Sequence, residues 1–270
     1  MEEKKQKHKI LVLSNLNKSI TDVLKSTISL AKIIDAEIHL FYVKKPTDIV
    51  EKESQLSAIR EINKEHITTK QEIQNIINPM VKEYGIKINP KFAFGNVKNE
   101  IEAYIDQQQP DIIVLGKKKS KLFKLFGDDN ITQFVLKKHK GVILIVSEKN
   151  SLDPNTVFTL GMLNQAQDTI NVDFAEQLLK HAEEPVRLFK IVKKQNNPQP
   201  KETLNNKTIE YVFEESDNAI SSISKYVAKN KVDLLYVNRK QNQKKSEFIS
   251  PIQIDDIITN FNVSLLLTGV

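Results

Sequence analysis

The chain alternates short apolar runs with longer stretches of helical period. Residues 9–15, KILVLSN, are apolar until they break at Ser14 and Asn15, as expected for a strand buried on both faces of a parallel sheet. Ile20, Val23, Leu24, Ile28, Ala31 and Ile34 then recur at helical spacing, and EIHLFYV (37–43) reads as a second strand. A long, mostly polar helical stretch covers 51–84, with Pro79 predicting a break near its end and Gly85 a stop. KINPKFAF (87–94) is a third strand, 98–108 a helix and DIIVLG (111–116) a fourth strand. The segment GDDNITQFVLKKHKG (127–141) has acidic residues at its start, bases in its last turn and glycine after it, which predicts a capped helix. VILIVS (142–147) is a fifth strand. Strands alternating with helices imply a parallel sheet with right-handed crossovers.

After a linker at 147–155 the pattern starts again: TVFTLG (156–161), a helix around 171–183, VRLFKIV (186–192), TIEYVFE (208–214), a helix at 217–229, VDLLYVN (232–238), a short helix near 252–260 and VSLLLTG (263–269). AYIDQQQPDIIVLG (103–116) aligns without a gap on KYVAKNKVDLLYVN (225–238), an offset of 122 that places Tyr104 on Tyr226 and Asp111 on Asp233. The repeat predicts two copies of one α/β unit, 1–149 and 150–270. Upstream, Val43 aligns on Val192 at an offset of 149, so 27 residues are missing from the second copy. In place of the long helix stands the Pro/Asn-rich segment 193–207, and the second copy is expected to lack one helix. That loss would bare one sheet face, with Val186, Leu188, Ile191, Tyr211 and Phe213 as the candidates for exposure. A second copy of the chain or a protein partner is expected to cover it.

Composition narrows the classes. The 270 residues include no cysteine, which excludes disulfides and cysteine chemistry. No apolar run reaches the ~18–20 residues that cross a bilayer, and none precedes the first strand, so no membrane association is expected and the cytoplasm is the expected location. The net charge of +6 divides into +7 over 1–150 and −1 over 151–270. The basic half could favour anionic partners, although a lysine-rich surface serves solubility first.

The motifs KILVLSN, AEIHLFYV, FGNVKNEIEAYIDQQQPDIIVLG and ITQFVLKKHKGVILIV, in this order and spacing, resemble the universal stress protein domain. The whole chain resembles the tandem form with a degenerate second domain. The resemblance implies two parallel five-stranded open sheets of adenine-nucleotide α-hydrolase-like type. It also implies pairing of the copies through their last strands, here 142–147 and 263–269. Some members of the family bind ATP. Their signature, G-x2-G-x9-G-(S/T) after the fourth strand with an Asp ending the first, lets backbone N–H groups approach phosphate. Only Gly116 matches. Lys119, Asp129 and Asn130 replace the later signature residues, Asn15 replaces the acid, and Asp128 and Asp129 would repel phosphate. In the second copy Asn238 stands for the first glycine, and Gly161 for the acid. No bound cofactor is expected; the alternative is ATP, near Asn15, Val43 and Gly116.

Lys117, Lys118, Lys119, Lys121 and Lys124 crowd the segment leaving the fourth strand, where open α/β sheets bind ligands. Leu122, Phe123, Leu125 and Phe126 beside them suit a core or a partner surface. The five histidines lack metal-ligand spacing, His39 reads as a satisfied strand residue, and no nucleophile–base array is visible. Neither catalysis nor nucleic-acid binding is expected. The expected role is a non-catalytic stress-response or regulatory module acting through protein contacts, with weak ATP hydrolysis in the first domain as the alternative.

Overall fold

The computed structural model describes residues 7–17, 19–45, 55–117, 131–148, 150–164, 170, 172–193, 207–239 and 252–269, with backbone only for 55–59. The first half runs β1 (His8–Leu13), α1 (Ile20–Ile34), β2 (Ala36–Lys44), α2 (Gln55–Tyr84), β3 (Ile88–Phe94), α3 (Val97–Gln108), β4 (Ile112–Gly116), α4 (Ile131–Lys138) and β5 (Val142–Val146). The second runs β6 (Phe158–Leu163), α5 (Ala175–His181), β7 (Ala182–Val192), β8 (Thr208–Glu214), α6 (Ala219–Lys229), β9 (Leu234–Asn238), α7 (Ile254–Asn260) and β10 (Ser264–Thr268).

The ten strands form one sheet in the order β3-β2-β1-β4-β5-β10-β9-β6-β7-β8. Each half is an open parallel sheet with the same internal order, and the two join where β5 and β10 run antiparallel. Leu144 and Leu266 face each other there, and the repeat offset of 122 makes them equivalent, so the pseudo-twofold passes through this pair. Both strands are apolar and would be edges if the halves parted. Pairing them removes two surfaces prone to aggregation.

Each face of the sheet carries a core that continues across this seam. On one face α1, α2 and α5 pack, with Ile28, Leu24, Ile73, Leu144, Leu178 and Leu266 in one buried cluster. On the other, α3, α4, α6 and α7 pack around Ile105, Val135, Ile145, Ile223, Ile257 and Leu265. The repeated aspartates have one structural task. Asp111 accepts from the Lys9 N–H at 2.7 Å, and Asp233 accepts from the Thr159 N–H at 2.8 Å, so each carboxylate fastens the start of a first strand to the start of a fourth.

Strand register refines the alignment. Phe41 stands opposite Leu13 and Phe189 opposite Leu163, so these phenylalanines are equivalent at an offset of 148. Phe41 stacks on Tyr104 at 4.1 Å, and Phe189 stacks on Tyr211 at 5.3 Å. Val43 therefore corresponds to Ile191 rather than Val192. Lys91 beside Phe41 corresponds to Tyr211 beside Phe189, an offset of 120, so the loss between second and third strands is 28 residues. Gly161 lies inside β6 at the level of Leu11, two residues short of the strand end, and is not the counterpart of Asn15. Pro79 does not break α2. The helix continues to Tyr84 because Ile73, Ile77, Met80 and Tyr84 are buried against the core, and Gly85 at φ 65° ends it.

Among the described residues the second half has α5 alone on the face where the first carries both α1 and α2. The residues named for exposure are not bare. Val186, Leu188 and Ile191 are buried, and Tyr211 and Phe213 are half-buried beside α6. Where the first half has α2, the outer strands carry charge instead, with Lys190 and Glu210 paired at 2.9 Å. Val212, beside Lys190 on that face, is 57% exposed, so the charged pair covers only part of it. Residues 194–206 lie outside the described residues.

Candidate functional site

Strand order reverses between β1 and β4, and ligands of open α/β sheets sit beyond the carboxyl ends of strands at such a switch point. A cavity of about 410 Å³ occupies that position in the first half. Asn15, Val43 and Gly116, which neither adjoin in sequence nor share an element, all line it. Leu13, Phe41, Ile101 and Leu115 supply apolar walls, and Ser14, Asn17, Ser19 and Lys45 polar ones. Asn17 Oδ1 accepts from both the backbone N–H and the hydroxyl of Ser19, at 3.1 and 2.6 Å, which shapes the entry to α1. Mainly apolar walls with a few polar groups are the usual lining of a small-molecule pocket.

Gly116 has a packing task of its own. A Cβ there would lie 3.0 Å from Val23 Cγ2, and Val23 is buried within the core under α1. The close approach of α1 to β4 thus needs glycine whether or not anything binds. Gly116→Ala is expected to lower stability by roughly 1–3 kcal/mol through overpacking, and Val23→Ala in the same chain to recover part of it. Urea denaturation of the wild type and the two variants provides the measurement.

Lys117, read from the sequence as one of five bases facing an anion, is turned elsewhere. It lines the cavity, but its Nζ donates to the Phe261 carbonyl at the end of α7 in the other half. Burial lowers its pKa below the usual lysine value. Arg239, its equivalent at the offset of 122, makes the reciprocal crossing. Its Nη1 donates to the carbonyls of Leu136 and His139, both at 3.3 Å. Its Nη2 donates to those of Lys140 at 3.3 Å and Gly141 at 2.6 Å. Burial brings its pKa down to about 10. Each cation leaves a fourth strand and caps the carboxyl end of the last helix of the opposite half, where the helix dipole and unpaired carbonyls favour positive charge. Sequence reasoning passed over Arg239. The signal was available, since it is the residue immediately after the aligned block, opposite Lys117.

At the corresponding place in the second half, Asn238 replaces Gly116. It is buried and its side chain meets the turn at Gly269, where a Cβ would come within 2.9 Å of Asn238 Oδ1. The counterpart of Asn15 lies outside the described residues, as do Lys118, Lys119, Lys121, Lys124, the apolar residues 122–126, Gly127, Asp128, Asp129 and Asn130. His39 Nε2 lies 3.2 Å from Glu37 Oε1, and burial lowers the pKa of His139. Among the described residues no group of three or more His, Asp or Glu side chains is placed to hold a metal ion. No helix among them is long and apolar enough to cross a membrane.

No curated protein matches the sequence. Solved structures do match in fold. A universal stress protein from Archaeoglobus fulgidus DSM 4304 superposes with a TM-score of 0.65 at 12% identity, over 98% of this chain and 99% of that one. A putative universal stress protein from Pseudomonas aeruginosa UCBPP-PA14 gives 0.57 at 11% identity, over 97% of this chain and 92% of that one. Residues 7–147, just over half of the chain, match the universal stress protein family in sequence, and those residues contain both the switch-point cavity and the strand that joins the halves. The chain therefore belongs to the universal stress protein family.

Proposed function

We propose that the protein is a non-catalytic regulatory module of the stress response, a tandem form in which 150–270 is a diverged second domain. On this reading it works in the cytoplasm through protein contacts and does not turn over nucleotide. The observation that carries it is the commitment of the strand-end cations. Lys117 and Arg239 leave the fourth strands where a phosphate would need positive charge, and both give their donors to helix-end carbonyls across the seam. Gly116 is explained by its contact with α1, and Asn15 supplies no carboxylate for a ribose or a metal.

The test is a thermal-shift series with ATP and magnesium. A ligand at 100 times its dissociation constant stabilises by about 2.7 kcal/mol, a shift of several degrees in a chain of this size. The expected result is no resolved shift at 1 mM. A micromolar dissociation constant by calorimetry would refute the reading. The second reading is an ATP-binding protein with weak hydrolysis in the first domain. It is favoured by one observation, the convergence of Asn15, Val43 and Gly116 on a cavity at the switch point. A second copy or another protein remains the proposed partner. It is proposed to dock through the second half, where the face beside β8 exposes Val212 next to the Lys190–Glu210 pair.

A further inference from the structure

The sheet ends at β3 in the first half and at β8 in the second, and the two edges differ. Hydrogen bonds to the inner neighbour show which way each edge residue turns its backbone groups. The Gly95 N–H donates to the Lys44 carbonyl of β2 at 3.1 Å, so odd-numbered residues of β3 face inward and even-numbered ones outward. Pro90 therefore stands at an outward position, where it has no N–H to offer a further strand. In β8 the Lys207 carbonyl accepts from the Val186 N–H and the Glu215 N–H donates to the Val192 carbonyl, both at 2.9 Å. Thr208, Glu210, Val212 and Glu214 thus turn their N–H and C=O groups to the open edge, and each of them has a donor. Among the described residues no strand pairs with that edge. β8 contains no proline or lysine, and its register on β7 is unbroken from Thr208 to Glu214. Val212 is exposed on one face and Ile209 on the other. On the Ile209 face the exposed Tyr226 of α6 lies 5.1 Å from Tyr211 and 5.8 Å from Phe213 between ring centres. An unblunted edge flanked by apolar side chains is a template for another strand.

We propose that β8 is a homodimer interface, on which β8 of a second copy pairs antiparallel about a two-fold axis at Tyr211, so that one sheet runs through both chains. Backbone direction and charge fix the register. A slide of one residue is excluded, because it sets outward-facing groups against residues whose groups are used by β7. Centred on Tyr211, Glu210 of each copy stands opposite Val212 of the other and Glu214 opposite Thr208, and each of these pairs exchanges two hydrogen bonds. A slide of two residues sets Glu210 opposite Glu210 in one direction and Glu210 opposite Glu214 in the other, and like charges directly opposite are unfavourable. On the α6 face the same register brings Ile209 opposite Phe213 and Tyr211 opposite Tyr211, which continues the patch around Tyr226 across the axis. Association at β8 also leaves the first halves, each of net charge +7, at the far ends of the pair, where their repulsion is weakest. The inference rests on the reading above that a partner docks through the second half, and it names that partner, the strand and the register.

The experiment uses the full chain and two readouts. One short edge makes a small interface, so sedimentation equilibrium from about 1 to about 300 µM is expected to show monomer and dimer in exchange. Val212→Glu and Val212→Lys change an exposed side chain and keep the fold. Val212→Glu sets two like-charge pairs opposite Glu210 and should raise the dissociation constant about tenfold, whereas Val212→Lys sets opposite charges there and should lower it severalfold. The second readout exploits the absence of cysteine from the chain. Tyr211→Cys places two thiols opposite each other at the axis, in a non-hydrogen-bonded pair whose Cα spacing of about 4.5 Å admits a disulfide. Under mild oxidation it should cross-link at least about tenfold faster than Lys91→Cys, the equivalent position at the β3 edge blunted by Pro90. Circular dichroism checks the fold of each variant, and the Val212 pair decides the matter should Tyr211→Cys unfold. A wild type that stays monomeric throughout overturns the proposal. So does a dimer that responds alike to Val212→Glu and Val212→Lys, or equal cross-linking of folded Tyr211→Cys and Lys91→Cys. Each of these leaves the regulatory reading standing with a different protein as partner, since only tight binding of ATP refutes that reading.

Discussion

Leu266→Asp is expected to abolish cooperative folding of the whole chain, not of the second half alone. Leu266 is fully buried and faces Leu144 on the pseudo-twofold, in the core shared by α1, α2 and α5. An aspartate there would be an unpaired buried charge flanked by strands, costing at least about 4–5 kcal/mol beyond the lost apolar contacts. A domain of ordinary stability, ~5–15 kcal/mol, has little left after that. Because the core continues across β5 and β10, neither half can retain its packing while the other opens. Circular dichroism and gel filtration should show loss of the native transition and association through the bared strands. Leu266→Ala keeps the apolar character and should cost about 2–5 kcal/mol with one transition retained. Two separate transitions, with the first half melting as in the wild type, would show that the halves fold independently.

Arg239→Ala should be the most damaging change outside the apolar core. It strips four carbonyls at the end of α4 of their donor and removes a buried charge from the acceptors that surround it. The expected loss is about 3–4 kcal/mol, each unsatisfied buried group costing roughly 1–3 kcal/mol and relaxation or water recovering part. At about 2–4 °C per kcal/mol for a chain of this length, the melting temperature should fall by roughly 6–15 °C. Arg239→Lys retains the charge but reaches fewer carbonyls, and should lie about midway between wild type and alanine. Lys117→Met removes one donor and should cost about 1–2 kcal/mol, less than Arg239→Ala. Equal losses at the two positions would contradict the unequal number of carbonyls they serve. A loss below 1 kcal/mol at Arg239 would mean that water serves those carbonyls as well.

The alternation of strands and helices was legible in the residue pattern, and the 122-residue offset anticipated the matching strand order of the two halves. Period-two and period-3.6 burial is local, and a gap-free stretch such as 103–116 on 225–238 reports shared backbone directly. Legibility failed where the outcome depends on partners distant in sequence. Pro79 carries a local signal for a break, yet burial of Ile73, Ile77 and Met80 holds the helix through it. Tyr211 and Phe213 look exposed once a helix is removed, but alternation sends them to the opposite face, beside α6. One residue of register separates these readings, and a one-residue slip turns every side chain to the other face.

The candidate site divides in the same way. Asn15, Val43 and Gly116 could be named from the strand ends alone, because the switch-point crevice follows from strand order. Their convergence on one cavity, and the use of Gly116 to admit Val23, needed the packed helix α1. Lys117 shows the limit most clearly. Its position in a run of lysines spoke for an anion, since charge is visible in sequence. The direction of its ammonium was decided by the antiparallel junction of β5 and β10, which brings the end of α7 to it from 144 residues away. Sequence by itself determined the elements and their order, because those depend on local periodicity and chain length. The tertiary structure alone decided the shared cores, the seam on Leu144 and Leu266 and the crossing of Lys117 and Arg239, because helix-end carbonyls accept from whichever donor the packing places beside them.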